Sequence, residues 1–156
     1  MREHRYWMEY ALKEAQKAFE LGEVPVGAVI VYKGQIIAKG YNQVETLKDA
    51  TAHAEMIALS AAYNYFQAWR LDGCTIYVTL EPCPMCAGAI VLSRIDKVVF
   101  GAYDFKAGAC GSVYNIAGDG NLNHKVEVIG GIMGDEAQSL LKVFFERLRN
   151  SEMGRF

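Results

Sequence analysis

Two short motifs, His53-Ala54-Glu55 and Pro82-Cys83-Pro84-Met85-Cys86, constrain the fold of this chain more than any other feature. One histidine and two cysteines make a ligand set for zinc, and three protein ligands leave the fourth tetrahedral position open, the mark of a catalytic ion rather than a structural one. Glu55 then stands ready to handle the protons of a water at that position. On a regular α-helix residues i and i+2 lie about 200° apart, so His53 and Glu55 serve one centre only from a first turn, where side chains reach past the helix end. Asp49-Ala50-Thr51 reads as that helix start, and Met56-Ile57-Ala58-Leu59 continues it. Cys83 and Cys86, spaced i and i+3, share one face of a second helix, where Pro84 suits the first position because its missing N–H costs nothing there. Both sulfurs then lie near a positive helix end, which favours thiolate, as zinc itself does. The fold must therefore bring two helix N-termini to one ion.

Taken singly, each half has a plainer reading. A lone His-x-Glu is usually a solvated helix face, and Cys-x-x-Cys opening a helix after a strand is also the spacing of a redox pair. The redox reading leaves His53 and Glu55 without a role. Nor is Glu55 a capping-box partner of Thr51, because that motif needs a spacing of three and here it is four.

The hydrophobic pattern supplies the rest of the fold. Trp7, Met8, Ala11, Leu12, Ala15, Ala18 and Phe19 recur at helical spacing. Residues 26–32 and 35–41 read as strands joined at Lys33-Gly34, a hairpin. The first zinc helix spans residues 52–66; a strand follows at 75–80, then a helix at 84–93 that is apolar all round and hence buried. Residues 97–101 are the next strand, so strand–helix–strand implies a parallel crossover. Residues 126–130 form a fifth strand, and Ala137, Leu140, Leu141, Phe144, Phe145 and Leu148 mark one face of a closing helix. The expected fold class is α/β, a three-layer α/β/α sandwich with a mixed five-stranded sheet. At 156 residues it is a single domain, residues 1–156, long enough to bury about two-thirds of the surface of its unfolded chain. No apolar run approaches the ~20 residues of a membrane span, and the charged start lacks a signal-peptide core, so a cytoplasmic protein is expected. In a reducing cytosol Cys74 and Cys110 are more often small buried residues than a disulfide.

Beyond the zinc motifs the chain resembles the bacterial tRNA-specific adenosine deaminases of the zinc deaminase superfamily. The resemblance is carried by Glu23-Val24-Pro25-Val26-Gly27-Ala28, Thr51-Ala52-His53-Ala54-Glu55, Tyr77-Val78-Thr79-Leu80-Glu81-Pro82-Cys83, Ser93-Arg94-Ile95 and Val98-Val99-Phe100-Gly101-Ala102. It runs from about Tyr6 to Arg149. The segment from Gly101 to Gly108, with Gly111-Ser112 and Asn123-His124, resembles the tRNA branch in particular.

This resemblance implies a cytidine-deaminase-like fold and hydrolytic deamination of adenosine to inosine at the wobble position of an anticodon. It implies one zinc per chain held by His53, Cys83 and Cys86, with Glu55 as the proton shuttle. It also implies substrate contacts from Asn42, Asp104, Lys106, Phe145 and Arg149, weaker candidates in Arg70 and Arg94, and a homodimer that contacts tRNA from both chains. Each substrate residue has a plainer alternative: Asn42 as a turn residue, Phe145 as core, Arg149 as a charge complementing a helix C-terminus. Tyr103, Phe105 and Ala107 depart from the family's pattern.

The net charge of −2 is unlike the basic bias of many nucleic-acid binders. A local patch suffices, however, and Lys142, Arg147, Arg149 and Arg155 gather near the C-terminus. Few phosphate contacts would leave shape and stacking to carry recognition, as they do for RNA loops with splayed bases. The alternatives are a deaminase of a free base or nucleoside, of guanine or cytosine type, and a non-catalytic zinc-bound RNA-binding subunit or redox protein.

Overall fold

The sheet is organised around a hairpin whose turn, Lys33-Gly34, has φ of 48° and 74°, the doubly positive turn that matches the twist of paired strands. It joins β1 (Gly27–Tyr32) to β2 (Gln35–Tyr41), with Tyr32 opposite Gln35. The structure, a computed structural model, describes residues 2–151. Helix α1 (Arg2–Glu20) precedes the hairpin, and α2 (Val44–Leu47) and α3 (Ala54–Phe66) follow it. Then come β3 (Cys74–Leu80), α4 (Pro84–Leu92), β4 (Lys97–Ala102), β5 (Glu127–Ile129) and α5 (Gly134–Asn150). The sheet order is β2-β1-β3-β4-β5; β1 runs antiparallel to both neighbours, and β3, β4 and β5 run parallel. The expected mixed five-stranded sheet and the β3–α4–β4 crossover are both present.

Alternation along the strands builds the layers. Ala28, Ile30, Ile76, Val78, Val98 and Phe100 pack with Ala54, Ala58 and Leu59 of α3 and Ala87, Ile90 and Val91 of α4. Val29, Val31, Tyr77 and Val99 point the other way, toward Met8 and Ala11 of α1. Phe19 meets Phe144 edge to face at 6.0 Å, tying α1 to α5 in that second layer. Central strands covered on both faces read as unbroken apolar runs, hence Gly-Ala-Val-Ile-Val-Tyr in β1.

Two glycines set how closely the helices approach. A Cβ at Gly27 would run into the backbone of Ala11 and Ala15 in α1. One at Gly40, across the ladder from Ala28, would run into the backbone of Ala54 and Ala58 in α3. The first turns of α3 therefore lie directly on the backbone of β2.

The structure differs from expectation in three places. Helix α3 begins at Ala54 rather than near Ala52, because Asp49 does not start it: Asp49 Oδ1 accepts hydrogen bonds from the Thr51 N–H (2.8 Å) and hydroxyl (2.7 Å). Such local bonds compete with helix initiation. The short α2 just before it carried no sequence signal. Helix α4 is not buried all round: Cys86, Ala87, Ile90 and Val91 are buried, but Leu92 is 71 % exposed, since nothing in this chain covers that side among the described residues.

Candidate active site

His53 and Cys83 occupy equivalent positions. Each is the N-cap of its helix, with extended backbone (φ −79°, ψ 153° and φ −75°, ψ 173°), and neither side chain makes a capping bond. Pro84 takes the first helical position, as expected. The expectation that Cys83 and Cys86 share one helical face needs correction, since Cys83 lies at the cap and only Cys86 is in the helix. The extended cap turns its sulfur back toward the first turn. Glu55, the second residue of α3, is buried beside them.

His53 Nδ1 lies 3.6 Å from the Sγ of Cys83 and 3.6 Å from that of Cys86. All three donor atoms fall within 4.8 Å of one another. For tetrahedral zinc, with Zn–S about 2.3 Å and Zn–N about 2.1 Å, the S···N edge is about 3.6 Å. The donor set thus fits zinc in chemistry and in spacing.

The two thiols differ in their hold on a proton. The hydrogen bond with Cys86, and then that with His53, holds Cys83 down to about 4, while Cys86 is driven up by Cys83 and by burial. A metal that takes both as thiolates releases that proton, so metal binding is linked to pH. Burial pushes the Glu55 carboxyl up to about 7, against its own backbone N–H. A group in that range can both take and return a proton at neutral pH.

The centre opens into a cleft of about 380 Å³ lined by Val24, Val26, Asn42, Val44, Leu80 and the site residues. Asn42 is buried and lines this cleft. The charged residues of the lining are Glu23, Glu45, Glu55 and Glu81; no lysine or arginine joins them among the described residues.

Glu23 and Glu81 were missed as site residues in the sequence. Each is almost wholly buried and pins a loop at the cleft's edge. Glu23 accepts from the Glu45 N–H (3.1 Å) and from the Thr46 N–H and hydroxyl (both 2.6 Å), which holds α2 in place. Glu81 accepts from the N–H groups of Asp104 (3.0 Å), Cys110 (3.1 Å) and Ser112 (3.0 Å) and from the Ser112 hydroxyl. The available signal was a lone carboxylate closing an apolar stretch, which must find several donors to be buried.

Val24 and Leu80 also line a second groove, of about 480 Å³, so the two adjoin. There the structure brings together Asp104, Lys106, Phe145 and Arg149, with Tyr103, Phe105 and Lys142. Phe145 is 37 % exposed and is not a core residue. The other basic candidates lie elsewhere. Arg147 sits over the Phe19 ring at 5.1 Å, Arg70 pairs with Asp72 at 3.0 Å, and Arg94 donates to the Val91 carbonyl. Arg155 lies outside the described residues. His124 is structural, its Nε2 2.7 Å from the Ile95 carbonyl oxygen. Cys74 and Cys110 are free and buried, which pushes their thiols up to about 11 and about 12.

Residues 1–102 match the cytidine and deoxycytidylate deaminase zinc-binding region, which takes in both motifs. The tRNA-specific adenosine deaminase of Bacillus subtilis (strain 168) is 49 % identical over 152 residues, 97 % of this chain and 94 % of that one. A structure from studies of A-to-I editing by tRNA:A34 deaminases at the wobble position of transfer RNA has a TM-score of 0.83 at 41 % identity, over 86 % of this chain and 98 % of that chain. The guanine deaminase of Nitrosomonas europaea shares the fold at 26 % identity, with a TM-score of 0.78 over 90 % of this chain and 83 % of that chain. The chain belongs to the zinc-dependent deaminases of the cytidine and deoxycytidylate deaminase family and, within them, to the tRNA-specific adenosine deaminases.

Proposed function

We propose that this chain, a single deaminase domain over residues 1–156, hydrolyses adenosine to inosine and ammonia at the wobble position of a tRNA anticodon. The observation that carries this reading is the division of charge between two adjoining spaces. The inner cleft is apolar and acidic, suited to an uncharged base and hostile to phosphate, whereas the outer groove holds Lys106, Lys142 and Arg149. A nucleotide enters such a site base first and leaves its backbone outside.

His53, Cys83 and Cys86 would hold the zinc, which when bound lowers the pKa of a water from about 15.7 to about 7. Glu55 takes one proton from the attacking water and gives it to the ring nitrogen as the water oxygen bonds the amine-bearing carbon; it then takes the remaining proton from that oxygen and gives it to the amine, whose C–N bond breaks to release ammonia. The burial of Glu55 keeps these protons from bulk water. Asn42, in the same lining, orients the target nucleotide, and Asp104, Lys106, Phe145 and Arg149 contact the flanking RNA. Asp104 Oδ1 accepts from the N–H groups of Lys106 (3.0 Å) and Ala107 (3.1 Å), so its part is chiefly to shape the turn that presents Lys106.

A homodimer and a cytoplasmic location complete the reading. Trp69 (60 % exposed), Leu92 (71 %) and Leu122 (50 %) line one depression on the uncovered side of α4, an apolar surface suited to a second copy. The free cysteines suit a reducing compartment, and no described helix is long and apolar enough to cross a membrane.

The test is incubation with an anticodon stem-loop carrying adenosine at the wobble position, followed by nucleoside analysis for inosine. Deamination of free guanine or cytosine beside an inert stem-loop would move the protein to the free-base class.

A further inference from the structure

Tyr103 and Phe105 stand side by side in the outer groove, their ring centroids 6.1 Å apart and their planes 13° from parallel. Tyr103 is backed on the inside. Phe100 meets it edge-on at 5.0 Å, and a Cβ at Gly130 would touch its hydroxyl at 2.9 Å, so the ring lies close over that backbone. Phe105 is 80 % exposed. It is nevertheless not on a loose tip. The Asp104 N–H is bonded to the buried Glu81, and the Asp104 carboxylate holds the N–H groups of Lys106 and Ala107. The backbone on both sides of Phe105 is therefore fixed, and it presents the phenyl ring to water beside that of Tyr103. That arrangement is unfavourable in an isolated protein and favourable for a ligand that covers the ring, because little ordering remains to be done on binding.

The surroundings define the ligand. Lys106, Lys142 and Arg149 line the same groove, whose one acid among the described residues, Asp104, is already engaged with backbone. A flat apolar face beside three cations, adjoining a cleft whose charged lining is acidic, matches one nucleotide of single-stranded RNA: base on ring, phosphate on cations. We propose that Phe105, backed by Tyr103, is a stacking platform for the base of a nucleotide adjoining the target. The inference rests on the RNA-deaminase reading and adds a subsite to it. Because every base has a π-face, the platform orients the strand with little base preference.

The experiment is a binding cycle on zinc-loaded protein at fixed salt, with fluorescence anisotropy on the anticodon stem-loop and on stem-loops abasic at either nucleotide flanking the target. Phe105→Ala weakens binding by about 5- to 150-fold, the range of one base–aromatic stack. At one flanking position the abasic RNA shows the same loss, and combining it with Phe105→Ala adds nothing further. Phe105→Trp restores affinity, and the salt dependence of Phe105→Ala matches the parent because no charge is removed. Binding by Phe105→Ala within twofold of the parent overturns the platform, as do losses that multiply at both positions. A changed oligomeric state by light scattering overturns it in favour of a second copy as the ring's cover. Inosine formation by the parent, measured alongside, separates the two claims. Coupling without inosine sinks the catalytic reading and keeps the platform; inosine without coupling sinks only the platform; neither result leaves either standing.

Discussion

Glu81→Gln tests what holds the loop at the cleft's edge. In the native chain Oε1 receives the Asp104 N–H and the Ser112 hydroxyl, and Oε2 receives the N–H groups of Cys110 and Ser112. A glutamine can keep its oxygen toward Cys110 and Ser112. Its NH₂ then faces the Asp104 N–H, donor against donor, while the Ser112 hydroxyl can rotate to accept. One charge-assisted bond is lost, about 2 kcal/mol, and two others become neutral at about 1 kcal/mol each. The smaller desolvation cost of an amide offsets part of this, leaving about 3 kcal/mol. The loss is local to the segment from Asp104 to Ser112, so opening of that loop becomes about a hundredfold more frequent, at 1.4 kcal/mol per decade. Hydrogen exchange on the zinc-loaded variant reads this directly. Protection falls at Cys110 and Ser112 while the amides of β3 stay protected. Exchange at Cys110 and Ser112 within threefold of the parent would refute Glu81 as the anchor.

Cys83→Ser loses zinc by metal analysis, whereas Glu55→Ala retains zinc and fold while activity falls on the order of 10²–10⁴-fold, the range of a general acid–base group. Gly40→Ala forces α3 off β2 and costs about 1–3 kcal/mol in urea unfolding, with weaker zinc retention because His53 heads that helix. Lys106→Ala and Arg149→Ala each flatten the salt dependence of RNA binding by about 0.7 in log–log slope; an unchanged slope for both removes them from the interface. Burial pushes the Tyr77 phenol up to about 12 in the folded chain, against about 10 unfolded. The folded state therefore holds that proton longer, and stability is lost as pH rises between about 10 and 12, by on the order of 3 kcal/mol. Tyr77→Phe removes that share of the alkaline slope in pH-dependent unfolding.

The clustering of His53, Cys83 and Cys86 beside Glu55 was legible because zinc chemistry demands particular residue types, and helix-start geometry explains why those types sit where they do. The strands were legible because burial on both faces leaves little but apolar residues, as in Val29-Val31 against Ala28-Ile30. Helix α2 was not: its four residues follow from a bond network with Glu23, a partner more than twenty residues earlier, and not from any local pattern. Asp49 misled for a related reason, since an aspartate that can begin a helix can equally close a turn on Thr51. Phe145 was ambiguous, and Leu92 was wrongly expected to be buried, because periodicity marks which residues share a face and says nothing about what lies across from it. Glu81 went unread as an anchor because its partners lie in a loop without regular structure, where no spacing rule applies.

His53 and Cys83 hold the cap positions of α3 and α4 without capping them. A serine or aspartate at either place would stabilise its helix by about 1 kcal/mol, and this chain forgoes that twice. A zinc held by His53 and Cys83 would tie the two helix ends to each other, although it accepts no hydrogen bond from their free N–H groups. Demetallation should therefore be felt as fraying that starts at two points of the backbone at once and carries Glu55 and Cys86, each within the first turn, out of register with the cleft. Chelation would then disarm the proton shuttle together with the Lewis acid, and recovery on adding metal back would be paced by re-forming two helix starts, not by diffusion of the ion.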